Sequence, residues 1–428
     1  MSISLRPLLF KSLVISRLLY PGSKLYLIDY LFYFKKIEIE KDKVYRFLDK
    51  LYSNEIKSIV EDCVYNHTLK IIDNNLIVSF YDVTTLHFES ESEDDLRKIG
   101  FSKEGKLNRP QIQLGLLTTI EGYPLAYEIY EGNKFEGHTL IQTLKEFEKR
   151  FSLTTKPIIV ADRGMMNNCN LIELNNSGYK YIIGARVKSL KEEIKNQISN
   201  LVFITESDTK EISLDDTLIC KEKKQIKLKQ AIKQRLVLSY SLKRAKKDKY
   251  LRNKALERLK AKINNSNNIT KSDLKLSPYA KFINLDKVCN LEFNIDEKKI
   301  IQDEKLDGIK GYITNDFSLP HPEIINHYTN LWHIEKAFRI SKTDLKIRPI
   351  FHRLEERIKA HILISFVSYA IYMEFERKLK LNNIRLPFSR KILRDLIKHI
   401  FAIKFNNKTI PLNLLDIQQQ IYDAITSE

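Results

Sequence analysis

The sequence predicts a mixed α/β (α+β) protein: a mixed five-stranded sheet with flanking helices, interrupted by a basic insertion and preceded by a helical N-terminal region. Three observations carry that expectation. From Leu76 onward, helix-spaced leucines give way to short apolar runs bounded by Gly and Pro. Those runs fall in the order β-β-β-α-β-α-β, three antiparallel strands feeding a parallel half. The 428 residues, 43% hydrophobic and 29% charged, have the size and balance of two or three folded domains.

Within residues 1–75, Leu8, Leu9, Leu13, Val14, Leu18 and Leu19 keep helical spacing until Pro21-Gly22, and Ser23 can cap the next helix. Val44, Phe47, Leu48 and Leu51 form the stripe of a third helix. The group reads either as a small DNA-binding bundle or as a helical lid packed on the next domain. Residues 76–190 follow. Leu76 to Val83 is a strand, and Gln111 to Thr118 turns at Glu121-Gly122-Tyr123-Pro124 into Leu125 to Tyr130. A helix spans His138 to Phe151. Pro157 to Asp162 is doubly apolar, as a central parallel strand should be. A short helix, Asn170 to Asn175, leads to a fifth strand at Tyr181. Residues 191–306 break this rhythm and read as an insertion, with short β-like runs at Thr217–Cys220 and Leu236–Tyr240 around a basic helix and an Asn-rich turn over Asn264–Asn268. The earlier style returns in residues 307–375, with a strand at Gly311–Thr314 and one long helix opened by His321-Pro322. Residues 376–428 read as a basic helical tail.

Charge narrows the partners. Lys and Arg number 72 against 54 Asp and Glu, net +18, which asks for a polyanion. Between Lys221 and Lys262, seventeen Lys or Arg face three acids, so under a tenth of the chain carries +14. Like charges at helical spacing, Lys243, Arg244, Lys246 and Lys247 among them, repel one another. A solvated surface helix is the plain alternative, but a phosphate backbone relieves that repulsion, and nucleic acid is the better reading. The longest uncharged apolar stretch, Ala360 to Met373, is 14 residues, short of the roughly 20 that a bilayer span needs; no membrane partner is expected. Arg6, Lys11 and Arg17 interrupt any signal-peptide core. Four widely spaced cysteines form no zinc motif and suit a reducing cytoplasm.

Asp82 and Asp162 each end an apolar strand. A lone buried carboxylate is costly unless paired or metal-bound, and two on neighbouring strand ends call for a divalent cation. Either aspartate could instead be an ordinary turn residue. Glu335 falls within an apolar helical stripe, and Tyr328, Glu335 and Lys342 are seven residues apart, so on one continuous helix they would share a face. By spacing alone, an amphipathic helix with a Glu–Lys pair explains that pattern equally well. The acidic run Glu89 to Asp95 reads as a solvated loop, and no glycine-rich phosphate loop is present.

Several motifs then occur in order. Tyr81-Asp82-Val83-Thr84-Thr85, Gly100-Phe101-Ser102-Lys103, Pro110-Gln111-Ile112, Gly132-Asn133 and Val160-Ala161-Asp162-Arg163-Gly164-Met165 are followed by Trp332-His333-Ile334-Glu335-Lys336-Ala337-Phe338-Arg339, Lys342 and Arg348-Pro349. Over residues 76–375 this pattern resembles the catalytic domain of DDE transposases of bacterial insertion sequences. The resemblance implies an RNase H-like fold with the insertion between the second Asp and the Glu. It implies Asp82, Asp162 and Glu335 as the catalytic, metal-holding triad and two Mg²⁺ ions, with Mn²⁺ able to substitute. The three carboxylates should then crowd together. It implies a homodimer on double-stranded DNA, at transposon ends and target, in the cytoplasm at the nucleoid. The family's helix signature of Tyr, Arg, Glu and Lys is matched by Tyr328, Glu335 and Lys342. Leu331 stands at the Arg position, and Arg339 one turn after the Glu is the candidate replacement for DNA contact. The rival readings are a nuclease of the same fold without strand transfer and a DNA-binding protein that has lost catalysis.

Overall fold

The computed structural model describes residues 5–52, 54–102, 105, 108–151, 153, 155–165, 167–203, 205–206, 208–222, 225–265, 282–285, 293–384, 390–405, 408–412 and 414–426. The chain divides into two compact units, residues 1–179 with 329–428, and residues 180–328. In the first unit α1 (Leu5–Leu19), α2 (Lys24–Lys35), α3 (Lys41–Leu51) and α4 (Asn54–Ile71) precede β1 (Val78–His87), β2 (Gln111–Thr119), β3 (Pro124–Glu131), α5 (Leu140–Arg150), β4 (Ile158–Ala161) and α6 (Asn168–Asn176). The second unit holds β5 (Tyr181–Ala185), α7 (Glu192–Ser199), β6 (Thr209–Glu222), β7 (Gln225–Tyr240) and α8 (Leu242–Asn265). It continues through β8 (Ile283–Leu285), β9 (Phe293–Ile295), α9 (Glu297–Glu304), β10 (Ile309–Thr314) and α10 (His321–Thr329). The chain returns to the first unit with α11 (Trp332–Arg339), α12 (Glu355–Leu381), α13 (Arg390–Lys398), β11 (Phe401–Phe405), β12 (Lys408–Leu412) and α14 (Asp416–Thr426).

Strands of the first unit run in the order β3-β2-β1-β4. β1 pairs antiparallel with β2, β2 antiparallel with β3, and β1 parallel with β4, the mixed α/β sheet that the apolar runs predicted. Every residue of β2 is buried, and every residue of β1 except Asp82. On one face Tyr81 reaches the start of α5, donating from Oη to Thr139 Oγ1 at 2.7 Å. On the other, Leu114, Leu116 and Tyr127 meet Phe338 of α11 and Ile362 and Phe366 of α12. The N-terminal helices are built into this unit: α1 and α3 pack on α12, and α4 on β3. Glu61 of α4 accepts from the Tyr127 amide at 3.0 Å and ion-pairs with Arg150, while Lys57 binds Glu128 at 2.6 Å.

α12 is the one helix among the described residues that is long and apolar enough to cross a membrane, and 61% of its apolar window is buried inside the protein. That makes it a core helix, longer than the uncharged run suggested because charged residues extend both ends.

The second unit orders its strands β5-β10-β7-β6, all antiparallel. Leu214, Leu236 and Leu238 pack with Val187, Ile198, Leu306 and Ile309. The short β-like runs expected in the insertion are parts of one long hairpin, β6–β7. Its outer half is exposed at Lys227, Lys229 and Lys233, so it is charged rather than apolar and hid its strand character. The expected strand at Tyr181 lies in this unit, registered antiparallel with Gly311–Thr314.

Three further expectations are corrected. The long helix from His321 is two helices, α10 and α11, broken at Asn330-Leu331 and each packed within its own unit. The tail is not wholly helical: β11 and β12 form a hairpin, with Phe401 opposite Leu412 and Ile403 opposite Ile410. Cys169 and Cys220 are each disulfide-bonded rather than free thiols, while Cys63 is free. The Asn-rich turn from Ser266 to Asn268, like Lys103, Lys223 and Lys224, lies outside the described residues.

Candidate active site

Neighbouring strands β1 and β4 place two acids side by side: Asp162 just past the end of β4, as expected, but Asp82 in the middle of β1, which continues to His87 rather than ending at the aspartate. Tyr81 is registered with Ala161 in the parallel ladder, so Asp82 and Asp162 are the next residue after each. Neighbouring parallel strands lie about 4.8 Å apart. Asp82 Oδ1 accepts from the Val83 amide at 2.7 Å, and Asp162 Oδ1 from the Arg163 amide at 2.8 Å. Each aspartate is thus oriented by the backbone that follows it. Asp82 is half-buried in a strand otherwise closed to solvent, and Asp162 is exposed.

What holds these strands lies behind them. Tyr81 points the opposite way from Asp82 because strand side chains alternate. Besides its bond to Thr139, its hydroxyl accepts from Thr143 Oγ1 at 3.2 Å, and burial pushes its pKa up. Beyond Asp162 a short 3₁₀ turn, Arg163–Met165, leads to α6. Asn167 caps that helix by accepting from the Asn170 amide at 2.9 Å, and buried Asn170 donates from Nδ2 to Met165 O and Gly137 O, both at 2.6 Å. Thr139, Thr143 and Asn170 were not singled out from the sequence. They belong to loops and helix starts where such residues are commonplace, and only the fold aims them at these strands.

The glycine motifs have a local explanation too. Gln111 Nε2 donates to Phe101 O and Gly132 O at 2.9 Å each. A Cβ on Gly132 would sit 2.1 Å from Gln111 O, and one on Gly100 2.4 Å from Gly132 O. The three segments clasp backbone to backbone at the end of the β2–β3 hairpin. Asp94, expected in a solvated loop, instead accepts from the Leu96 and Arg97 amides and from Arg97 Nε.

Glu335 lies on α11, which packs on β1. Ile334, Ala337 and Phe338 form its buried face, and Phe338 lines one small cavity together with Leu116, the partner of Asp82 across β1–β2. The helix therefore covers the sheet face on which Asp82 lies. Glu335 itself is exposed, outside the apolar stripe in which the sequence placed it, because the break after α10 resets the helical phase. Arg339 is exposed, and Lys342 is half-buried in a π-helical turn, Ile340–Asp344. Such turns interrupt helical phase as well, so the seven-residue spacing through Lys342 no longer defines one face. Tyr328, in the second unit, stacks edge-on with Tyr312 at 5.3 Å and lies over Gly184, where any Cβ would collide with its ring. Among the described residues no three His, Cys, Asp or Glu side chains gather closely enough to hold a metal ion as they stand. The fold pairs the aspartates, and Glu335 does not complete a cluster with them.

The basic helix α8 presents Lys243, Arg244, Lys246 and Lys247 to solvent. Two cations of the same run are consumed internally. Arg252, 2% exposed, binds Asp307 at 2.6 Å and Glu304 at 3.0 Å, and Arg235 binds Glu211 at 2.8 Å.

Fold and site together define an α/β protein with paired carboxylates on neighbouring strands and a strongly basic helix. A profile of the transposase DDE domain family matches residues 75–371, more than half of the chain, and the chain belongs to that family. It is a DNA transposase, an enzyme of metal-dependent DNA strand cleavage and transfer. No curated protein matches it. Among solved structures it is similar to a piggyBac transposase synaptic complex with hairpin DNA, at a TM-score of 0.41 and 10% identity, over 90% of this chain and 68% of that one.

Proposed function

We propose that Asp82, Asp162 and Glu335 are the catalytic carboxylates of this transposase and that they hold two Mg²⁺ ions, with Mn²⁺ able to substitute. The observation that carries this reading is the register of β1 on β4, which sets two acids next to each other on adjoining strands, Asp82 being the one residue of β1 that is not buried. The donor set fits the ions: carboxylate oxygens suit Mg²⁺ and Mn²⁺ better than zinc. Divalent ions bound there supply the Lewis acidity that in-line attack on a phosphodiester requires. The aspartates, oriented by the amides of Val83 and Arg163, provide the fixed part of the site. Glu335 brings the third carboxylate from a separate element on the same face of the sheet.

Tyr328, Arg339 and Lys342 serve as contacts to DNA near the reacting strand, and Lys243, Arg244, Lys246 and Lys247 as sequence-independent phosphate contacts. The substrate is double-stranded DNA at the ends of a bacterial insertion sequence and at its target. The working form is a homodimer at the nucleoid. The test is incubation of the full chain with duplexes carrying its own flanking ends and Mg²⁺. End cleavage followed by joining supports the reading; cleavage without joining reduces it to a nuclease. Binding without cleavage in either metal would overturn the catalytic assignment.

A further inference from the structure

The unit formed by residues 1–179 and 329–428 contains a cavity of about 480 Å³ that the transposition chemistry does not use. It opens between α1, the start of α2 and the segment ahead of α12, and contains none of Asp82, Asp162 and Glu335. Arg17, Lys24, Lys346, Arg348, Arg353 and His361 all line it, and no carboxylate does among the described residues. Asp49, whose charge acts on the lining residue His352, is engaged by Arg357, whose Nη2 donates to it at 2.9 Å.

Two of these cations are buried. Lys24 is 6% exposed, and no hydrogen bond or ion pair of its side chain occurs among the described residues. Arg17, 4% exposed, binds only neutral acceptors: Nη1 donates to Leu345 O at 3.2 Å and Lys346 O at 3.1 Å. Its Nη2 meets His361 Nδ1 at 3.2 Å, and His361 Nε2 donates to Ile347 O at 2.8 Å, which makes Nδ1 the acceptor and the ring neutral. Burial, and then the charge of Arg17, hold the Lys24 pKa well below the ordinary lysine value, and burial pushes Arg17 down to about 10. Uncompensated buried cations are costly, and proteins keep them where an anion arrives. The N-terminus of the twelve-residue helix α2 opens on the same cavity at Gly22 and Ser23, and its dipole favours negative charge there.

We propose that this cavity is a phosphate-binding site, seating one phosphate group between Lys24, Arg17 and the rim residues Arg348 and Arg353. A phosphate satisfies the set as a single carboxylate does not, because its oxygens point to several donors at once and its charge answers more than one cation. The phosphate comes either from the DNA backbone or from a free phosphate in solution. The DNA source rests on the proposed function; the phosphate chemistry does not.

Full-length protein is compared with Lys24→Met and Arg353→Gln. Thermal melts in inorganic phosphate against chloride at matched ionic strength should show stabilisation of the wild type, with the phosphate Kd weakened at least about tenfold in Lys24→Met and less in Arg353→Gln. In chloride, Lys24→Met should melt higher than wild type, because it removes a buried unpaired charge; a lower melt would mark Lys24 as a structural residue and overturn the site. If the phosphate belongs to DNA, both variants also lose about one unit of the log–log salt slope of duplex binding. Phosphate protection with an unchanged slope assigns the site to free phosphate. No phosphate effect on the wild type overturns the proposal. Should Lys24→Met not fold, the exposed Arg353→Gln carries both readouts. A wild type that binds phosphate here but binds no duplex keeps this site and removes the transposase contacts instead.

Discussion

Acids are held differently at two places in the molecule. On β1 and just past β4, Asp82 and Asp162 take bonds from the amides of Val83 and Arg163. In residues 180–328, Asp303 and Asp307 are gripped by Lys188 and Arg252, and Glu211 by Arg235. An amide orients a carboxylate without cancelling its charge, whereas an ammonium or guanidinium cancels it. The first arrangement orients the two carboxylates through backbone donors. The second neutralises the interior of a basic unit and leaves its remaining lysines facing solvent. An amide-held acid and a buried ion pair look alike in sequence, and what separates them is the donor that the fold supplies.

The sharpest way to break this comparison is to remove an acid of the proposed catalytic set. Asp82→Asn, or Glu335→Gln, should lower Mg²⁺-dependent end cleavage on the order of a thousandfold or more while duplex affinity stays nearly unchanged, since ligation and phosphate contacts are separate tasks. Cleavage within about tenfold of wild type in a gel assay would remove that residue from the site.

The second cut is at a charge-paired acid. Arg252→Met removes one of the cations that hold Asp303 and Asp307, and should cost roughly 3 kcal/mol of stability in denaturant unfolding. A variant as stable as wild type would mean that the cluster is solvated and that Arg252 belongs with the exposed lysines.

A smaller effect sharpens the contrast between interior and exposed cations. Neutralising Lys243, Arg244, Lys246 and Lys247 together should weaken binding to any duplex and flatten the salt dependence by about three to four units of log–log slope, with stability little changed. An unchanged slope returns α8 to a solvated surface helix.

The smallest effect concerns acid. Burial, followed by the charges of Lys24, Arg17 and Arg357, lowers the pKa of His352 to about 3, and His361 is held low for similar reasons. An unfolded histidine takes its proton near 6.5. Between about pH 6.5 and pH 3 the unfolded chain therefore binds more protons than the folded one, and stability should fall as pH drops through that window. His352→Gln should make the fall shallower in pH-dependent melts. An identical pH profile would place that ring in contact with water.

The apolar runs at Val78, Gln111, Leu125 and Ile158 were legible because a buried strand needs continuous apolar residues, and Gly and Pro mark where it turns. The hairpin β6–β7 was not: Ile226, Leu228 and Ile232 alternate with Lys227, Lys229 and Lys233, but the density of lysine made the segment read as charge rather than as strand. Asp82 and Asp162 could be named from their position after such runs, but nothing local to either residue says that β1 and β4 are neighbours. The phase of Glu335 was misread because no Pro or Gly marks the break at Asn330-Leu331, and two different cores hold the helices on either side.

By itself the sequence determined what is additive along the chain: net charge, the concentration of cations between Lys221 and Lys262, the strand-forming runs, and the order of motifs that marks the family. Tertiary structure alone decided which charges remain available. It placed Arg235 and Arg252 among acids, left Lys243 to Lys247 on the surface, set Asp82 beside Asp162 through a ladder between residues 80 apart, and enclosed Arg17 and Lys24 in a cavity with no carboxylate among its described lining residues. The reason is physical: the interaction of two charges depends on their separation and on the water between them, and sequence distance specifies neither.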